Sequence, residues 1–439
     1  MRDYRKLGII IGIAVVLVLI LLKTFVFYNK YKLPKNVEIE YSKAKLNELS
    51  AYEKYSLLDD AKLTISNDKY KVKNESFELD TTTIGEHTYT IKLKKGLKTY
   101  LHDVAYTVKD DEDPIFIKEP PATRTFYVNE ANYDDLKEIQ DAVVYGDNYD
   151  PEPKIEFKTS VDFKTVGTYN MVTTVTDSSS NAIAKTTTFT IKERPVETED
   201  EEKENIEEEP EEEDEEEDDG KLAFEDQILK YRGSNTYVGI DVSKWQGEID
   251  FEKVKEAGVE FVILRLGVMK DKDTPLAKDN TFDANFKKAK KAGLKVGVYV
   301  YSEADTVEKA IENAKFVEEN VKAQDLDFPV AFDWEFWKKF HTLKINIHRL
   351  QEMYEAFKGE LTQNGYSTML YSSQNYLKNN LWGDYLEYNV WVARYNENPP
   401  ELPENKYEYI MWQNSCTGKV DGIAGDVDLD VFFFEKELK

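Results

Sequence analysis

Cysteine is almost absent from this chain: Cys416 stands alone among 439 residues. A single cysteine excludes an internal disulfide framework and any cysteine-based zinc site. Histidine is also scarce, and His87, His102, His341 and His348 show no metal-ligand spacing. No phosphate loop, dinucleotide fingerprint or serine nucleophile elbow occurs. Neither a metal nor a cofactor is therefore expected. Positive charge is in the minority too, with 58 Lys and Arg against 85 Asp and Glu, a net of -27. The absence of a basic stripe argues against a nucleic-acid partner. The acidic excess is local: residues 197–219 hold 18 acids and one lysine, a net of -17, which leaves -10 for the rest. Like charges packed so densely repel one another, so residues 195–220 read as an extended, disordered linker.

What the chain does have begins with an apolar run. Residues 7–22 carry no charge, and 24–28 continue mostly apolar and aromatic past Lys23. About 20 such residues span a bilayer, and a lysine at that place can snorkel. Arg2, Arg5 and Lys6 precede the run and no small-x-small cleavage site follows it. The pattern favours an uncleaved signal-anchor over 7–28, with residues 1–6 as a cytoplasmic tail. The expected location is the cell membrane, crossed once, with the rest of the chain outside.

Two β-rich segments follow, expected over 34–110 and 111–194. Ile84-Gly85-Glu86-His87-Thr88-Tyr89 opens a late strand in the first, and Val166-Gly167-Thr168-Tyr169-Asn170 opens one in the second. The two glycines lie 82 residues apart, a repeat of domain size. Alternating Val, Thr, Tyr and Phe between turn signals argue for short antiparallel strands in all-β sandwiches. The Gly-Thr-Tyr opening and the Asp177–Asn181 turn resemble bacterial immunoglobulin-like repeats; the first copy has Lys94-Lys95-Gly96-Leu97 in place of that turn. No binding motif is visible in either, so a spacer role is expected.

From Tyr237 the pattern becomes strand and helix in alternation. Strands are expected at Tyr237–Asp241, Phe261–Leu266, Lys295–Tyr301, Pro329–Glu335, Thr368–Ser372, Val390–Ala393, Tyr409–Trp412 and Val427–Val431. Amphipathic helices at Asp283–Ala292, Thr306–Val321 and Asn346–Gln363 lie between them. That order implies parallel βα units and an α/β fold, an irregular TIM-type βα barrel over 234–439 with an irregular closing part.

Sites in such barrels sit at the C-terminal ends of the strands. Acids fall there: Asp241 on the first strand, Asp333 and Glu335 on the fourth, Asp428 and Asp430 on the last. Asp333 and Glu335 are spaced i, i+2, so a strand puts both on one face. Same-face carboxylates on an apolar strand repel and resist desolvation, a cost that glycoside hydrolysis gives a reason to bear. Aromatic residues Tyr299, Tyr301, Tyr371, Trp391 and Trp412 share those strand ends. Sugar C–H faces pack on aromatic rings while carboxylates and amides take the hydroxyls, so acids and aromatics together point to a carbohydrate. Trp334 alternates away from its acidic neighbours and is expected to pack on a helix. Asp430 is left open between a capping role and the site.

Residues 237–432 resemble the catalytic domain of glycoside hydrolase family 25, the Chalaropsis-type lysozymes. The resemblance rests on Gly239-Ile240-Asp241-Val242-Ser243-Lys244-Trp245-Gln246-Gly247, Gly297-Val298-Tyr299-Val300-Tyr301-Ser302, Asp333-Trp334-Glu335, Leu370-Tyr371-Ser372-Ser373, Met411-Trp412-Gln413 and Val427-Asp428-Leu429-Asp430. It covers about 45% of the chain. Chitinase-like barrels carry a further Asp two residues before the Asp-x-Glu pair, where this chain has Ala331. The segment Phe336-Trp337-Lys338-Lys339-Phe340 after Glu335 is unfamiliar and is expected to reshape one rim of the site.

The resemblance implies a peptidoglycan hydrolase that cleaves the β-1,4 bond between N-acetylmuramic acid and N-acetylglucosamine in cell-wall remodelling. By it, Glu335 is the general acid; repulsion from Asp333 and partial burial are expected to keep it protonated. Asp333 and Asp241 stabilise positive charge and orient the substrate, and Asp428 supports the cluster. Tyr299, Tyr301, Tyr371, Trp391, Trp412 and Gln413 are the expected substrate-binding residues. Family members use the substrate 2-acetamido group as internal nucleophile, an exception to the two-carboxylate scheme. The alternative is a non-catalytic peptidoglycan-binding or adhesive surface protein on the same fold.

Overall fold

The computed structural model describes residues 31–33, 37–131, 133–194, 224–379, 381–382, 388–396, 398–402 and 408–434. The apolar segment 7–28 and the acidic linker 195–220 lie outside the described residues. Among the described residues no helix is long and apolar enough to cross a membrane. The longest, Ile347–Gln363, has 17 residues and a half-polar surface, short of the roughly 20 apolar residues that a span needs. The expected single-pass membrane location is corrected on that finding.

The chain divides into a unit ending at Glu112 and one beginning at Asp113. The first is built on a long hairpin, Gly85–Lys95 against Lys98–Lys109, flanked by Lys71–Val72 on one side and by Tyr31–Lys32 and Leu49–Ser50 on the other. Gly96, at φ 59°, makes the turn, a left-handed conformation that glycine adopts without cost. Ile91, Leu93, Val104 and Val108 alternate inward and are buried.

The second unit opens with a module of similar plan. Gly167–Thr176 pairs with Ala182–Lys192, with Lys154–Thr159 and Thr123–Tyr127 on the flanks. A separate pair joins Ile115–Lys118 to Val144–Gly146. The sequence repeat has a structural counterpart. Tyr169 donates its hydroxyl to the carbonyl of Thr165, and His87 places Nε2 on the carbonyl of Thr83, each four residues back. The module is not all-β as expected. A helix, Tyr133–Asp141, crosses it, with Asp134 and Asp135 in its first turn, where acids suit the helix dipole. Its Leu136 is buried beside Met171, Phe189 and Ile191.

The remainder is an eight-stranded barrel. Its strands are β1 (Thr236–Val242), β2 (Phe261–Val268), β3 (Lys295–Ser302), β4 (Val330–Trp334), β5 (Thr368–Ser373), β6 (Asn389–Ala393), β7 (Glu408–Gly418) and β8 (Val427–Phe433). Each pairs with the next, and β8 returns to β1, which closes the ring. β8 is antiparallel to both neighbours, the irregular closing part that the sequence suggests. Helices α1 (Phe224–Tyr231), α2 (Phe251–Glu256), α3 (Phe282–Lys291), α4 (Val307–Asn320), α5 (Ile347–Gln363) and α6 (Gln374–Lys378) surround it. α1 begins ten residues before the expected boundary at 234. Its Phe224 and Gln227 are buried, and Gln227 bonds both the backbone of Asp430 and the side chain of Asn414.

Strand alternation sorts the side chains. On β4, Val330, Phe332 and Trp334 point outward into the layer between sheet and helices. Ala331 points inward with Ile263, Met369, Tyr371, Trp391 and Met411, and Asp333 shares its parity. Trp334 packs as expected, its Nε1 donating to the carbonyl of Ala304 at 2.8 Å.

Candidate active site

The barrel mouth gathers inward residues from strands all round the ring. Register sets Tyr301 beside Asp333, Asp333 beside Tyr371 and Tyr371 beside Trp391. On the far side Asp241 stands opposite Asp428, and Gln413 opposite Asp430.

Asp333 is buried, and its Oδ1 has no hydrogen-bond partner. Burial pushes its carboxyl well above the usual carboxylate range, and Glu335 and Asp241 push it further; the Arg265 guanidinium opposes them. Glu335 closes the strand differently. It is exposed and stands at the N-cap position of the 3-10 turn Phe336–Thr342, without a side-chain capping bond. The burial expected of Glu335 belongs instead to Asp333. Glu335 still acts on the cluster, since its charge raises Asp333, Tyr301 and Tyr371.

Asp241 is buried and tied down. Gln413 Nε2 donates to its Oδ2 at 2.7 Å, and Tyr371 and Tyr395 donate to Gln413 Oε1 at 2.7 and 3.1 Å. Burial raises its pKa to about 6, against the bonds from Gln413 and Asp430 and the charge of Arg265. Asp430, wholly buried, accepts from Trp391 Nε1 at 2.9 Å. It is pushed well above the usual range by burial first, then by Asp241 and Asp428. Burial raises both Asp241 and Asp430, and such neighbouring acids cannot both ionise freely.

Among the described residues, one buried cation faces this cluster. Arg265 projects inward from β2 and forms a 2.7 Å ion pair with buried Asp279. Burial raises Asp279, but its bonds from Thr281, Arg265 and Lys244 outweigh that and hold it below the ordinary value. Lys244 starts the turn Lys244–Gln246 on the rim, which Ser243 and Gln246 cap reciprocally. That turn presents Trp245, 76% exposed, with Lys244 Nζ 4.8 Å from its ring centroid.

The structure brings Asp241, Asp333, Glu335, Tyr299, Tyr301, Tyr371 and Gln413 together at the mouth, with half-buried Asp428 above Asp430. Two expected substrate contacts are corrected. Trp391 is 1% exposed and serves Asp430. Trp412 points out of the barrel, its ring edge-on to Tyr231 of α1 and its Nε1 on the carbonyl of Arg394. Alternation requires this, because Gln413 takes the inward place. Arg265, Asp430 and Trp245 are the residues that sequence reasoning missed or left without a role. A lone arginine inside the apolar run Phe261–Val268 was the available signal for the first.

Replacing Gln413 by Leu removes the amide donor that helps keep Asp241 ionised. One charge-assisted bond is worth about 1.5 kcal/mol, close to one pH unit. The acidic limb of kcat/KM is expected to move up by about that much, read from a pH–rate profile.

A closed βα barrel with paired acids at its mouth is an arrangement suited to glycoside hydrolysis. Comparison with known proteins gives the family. The model of the glycosyl hydrolases family 25 matches residues 240–423. A protein of Escherichia coli O157:H7, YegX, is 30% identical over 201 residues, which is 45% of this chain and 70% of that protein. The autolytic lysozyme of Clostridium acetobutylicum is 31% identical over 194 residues, 44% of this chain. The chain spans 55% of that lysozyme's length. A family 25 glycosyl hydrolase structure from Bacillus anthracis, 21% identical, covers 46% of this chain and 92% of its own at a TM-score of 0.39. The chain belongs to family 25 of the glycosyl hydrolases.

Proposed function

We propose that residues 224–434 form an N-acetylmuramidase that hydrolyses the β-1,4 bond between N-acetylmuramic acid and N-acetylglucosamine in peptidoglycan, in remodelling of the cell wall. Two immunoglobulin-like modules, 34–110 and 111–194, and an acidic linker, 195–220, precede it. The observation that carries this reading is the pairing of exposed Glu335 with buried Asp333 on one strand end, facing Asp241 across the mouth. An exposed carboxyl can reach the glycosidic oxygen of a long polymer. A strand laid over it excludes water and favours its protonated form. Glu335 then donates its proton to the leaving oxygen. Asp333, with one oxygen unpartnered, takes the substrate amide or hydroxyl and helps polarise the 2-acetamido group as it attacks the anomeric carbon. Asp241, which accepts a bond from the Gln413 amide, stabilises the growing positive charge. Asp428 holds the rim of the cluster, Tyr299 and Tyr301 line its wall, and no metal or cofactor takes part.

Trp245 supplies the exposed aromatic face that the sugar ring needs. The Trp245→Ala protein is expected to show a KM about tenfold higher, the equivalent of about 1.4 kcal/mol, with kcat within about twofold. Steady-state kinetics on soluble glycan strands checks it. The bond itself is tested by reducing the new chain ends with borohydride and identifying them by mass spectrometry. Reduced N-acetylmuramic acid is expected; reduced N-acetylglucosamine would overturn the assignment of the bond.

A further inference from the structure

The segment that follows Glu335 is held from two sides. Its first part is gripped by the barrel: Trp337 is buried, stacks on Tyr376 at 4.4 Å and meets Trp334 and Trp382 edge-on. Its second part is gripped by the β-module at 113–194. His341 lies flat on Tyr145, centroids 5.1 Å apart and planes 10° apart. Phe340 is 1% exposed and sits so close to Gly146 that a Cβ there would be 2.7 Å from its ring. The Ile347 amide donates to the carbonyl of Asp147 at 2.8 Å, and Asn346 Nδ2 to that of Tyr149 at 2.8 Å.

This contact is not that of a passive spacer. Val144 of the module is 2% exposed and belongs to the same apolar cluster as Trp334, Phe340 and Leu350, with Ile115 and Ile117 packed against it. A spacer needs no residue inside the catalytic core. The Lys344–Glu152 ion pair at 2.7 Å is exposed, so it adds register more than stability.

We infer that Tyr145 and Gly146 are positioning residues for Glu335: the module clamps Phe340 and His341, and through the short 3-10 turn Phe336–Thr342 it fixes where the Glu335 carboxyl stands. The turn is seven residues long and follows Glu335 directly, so its backbone fixes the Cα from which that carboxyl reaches. Packed at both ends, it transmits a displacement as a rigid piece, since close-packed interiors have little free volume to absorb one. Catalysis tolerates little misplacement of an acid, and about 1 Å can cost a hundredfold. The inference rests on the reading of Glu335 as the general acid.

The test uses the full chain and compares Gly146→Val, Tyr145→Ala, Tyr145→Phe and Val172→Ser with wild type and Glu335→Gln on peptidoglycan. Gly146→Val drives a wedge at Phe340 and is expected to lower kcat about tenfold with KM within about twofold. Tyr145→Ala removes the stack on His341 without overpacking and is expected to lower kcat about threefold, again with little change in KM. Tyr145→Phe keeps the ring and is expected to restore wild-type kcat. Val172→Ser, on an exposed strand position of the same module, is expected to leave both constants unchanged. If Gly146→Val does not fold, the Tyr145 pair decides. An active wild type whose kcat is untouched by Tyr145→Ala overturns the clamp and leaves the muramidase reading standing. An inactive wild type, or a Glu335→Gln protein as active as wild type, overturns the muramidase reading and the clamp with it.

Discussion

Glu335→Gln is expected to lower kcat by about 10²–10⁴-fold, the usual contribution of a positioned general acid. The amide keeps the shape of the side chain and the hydrogen bond to the glycosidic oxygen but has no proton to give. KM is expected to change little, because the amide keeps the size and hydrogen-bonding reach of the exposed Glu335 side chain. The basic limb of the pH–rate profile, which reports loss of that proton, is expected to disappear in the residual activity. Activated substrates, whose leaving groups need no protonation, are expected to recover much of the lost rate. Kinetics on peptidoglycan beside an aryl glycoside separates these outcomes.

Asp333→Asn is expected to move stability and activity in opposite directions. Asp333 is buried and raised well above its ordinary value, chiefly by burial. A raised carboxylate binds its proton more tightly in the folded chain than in the unfolded one. Its contribution is therefore favourable below the unfolded value near 3.8 and becomes a cost as pH rises towards the folded value. Asn is neutral in both states and escapes that cost. The variant is expected to match wild type near pH 4 and to unfold at a higher temperature at pH 7, by about 2–4 °C for each 1 kcal/mol of relief in a domain of roughly 200 residues. Its kcat is expected to fall about 10²-fold or more, because the charge that faces the transition state is gone. Thermal melts at the two pH values, read beside kcat, check both halves. Such opposition marks residues kept for function at the expense of the fold.

Much of the barrel was legible in the sequence. Parallel strands covered by helices are buried on both faces, so they read as short apolar runs ending in punctuation. All eight expected strands are found, most within two residues; β7 alone runs well past its expected end, from Glu408 to Gly418. The acids were legible for the same reason, as charges at the ends of such runs.

What the sequence hid was depth and direction. Asp428 and Asp430 have the same parity on β8 and look alike in sequence. β8 runs antiparallel to β1, so Asp428 pairs with Asp241 near the mouth while Asp430 sits deeper, opposite Gly239. That reversal buries the second acid at 0% exposure beside Trp391. Trp412 was misread because its neighbour Gln413, and not the larger ring, occupies the inward position. Long-range contacts left no trace in the sequence. Nothing near Phe336–Phe340 reveals that residues 144–149, almost two hundred positions earlier, pack against it. The helix Tyr133–Asp141 was missed because strand patterns on either side set the expectation for the whole module.

The central claim is that the acid cluster at the barrel mouth hydrolyses peptidoglycan glycan. It is tested most directly by incubating the full chain with purified peptidoglycan and measuring new reducing ends and bound protein in the same samples. The account expects reducing ends to accumulate with time and with enzyme concentration, and to do so without added metal. Tight binding with no reducing ends would contradict it and leave a glycan-binding protein on a hydrolase fold.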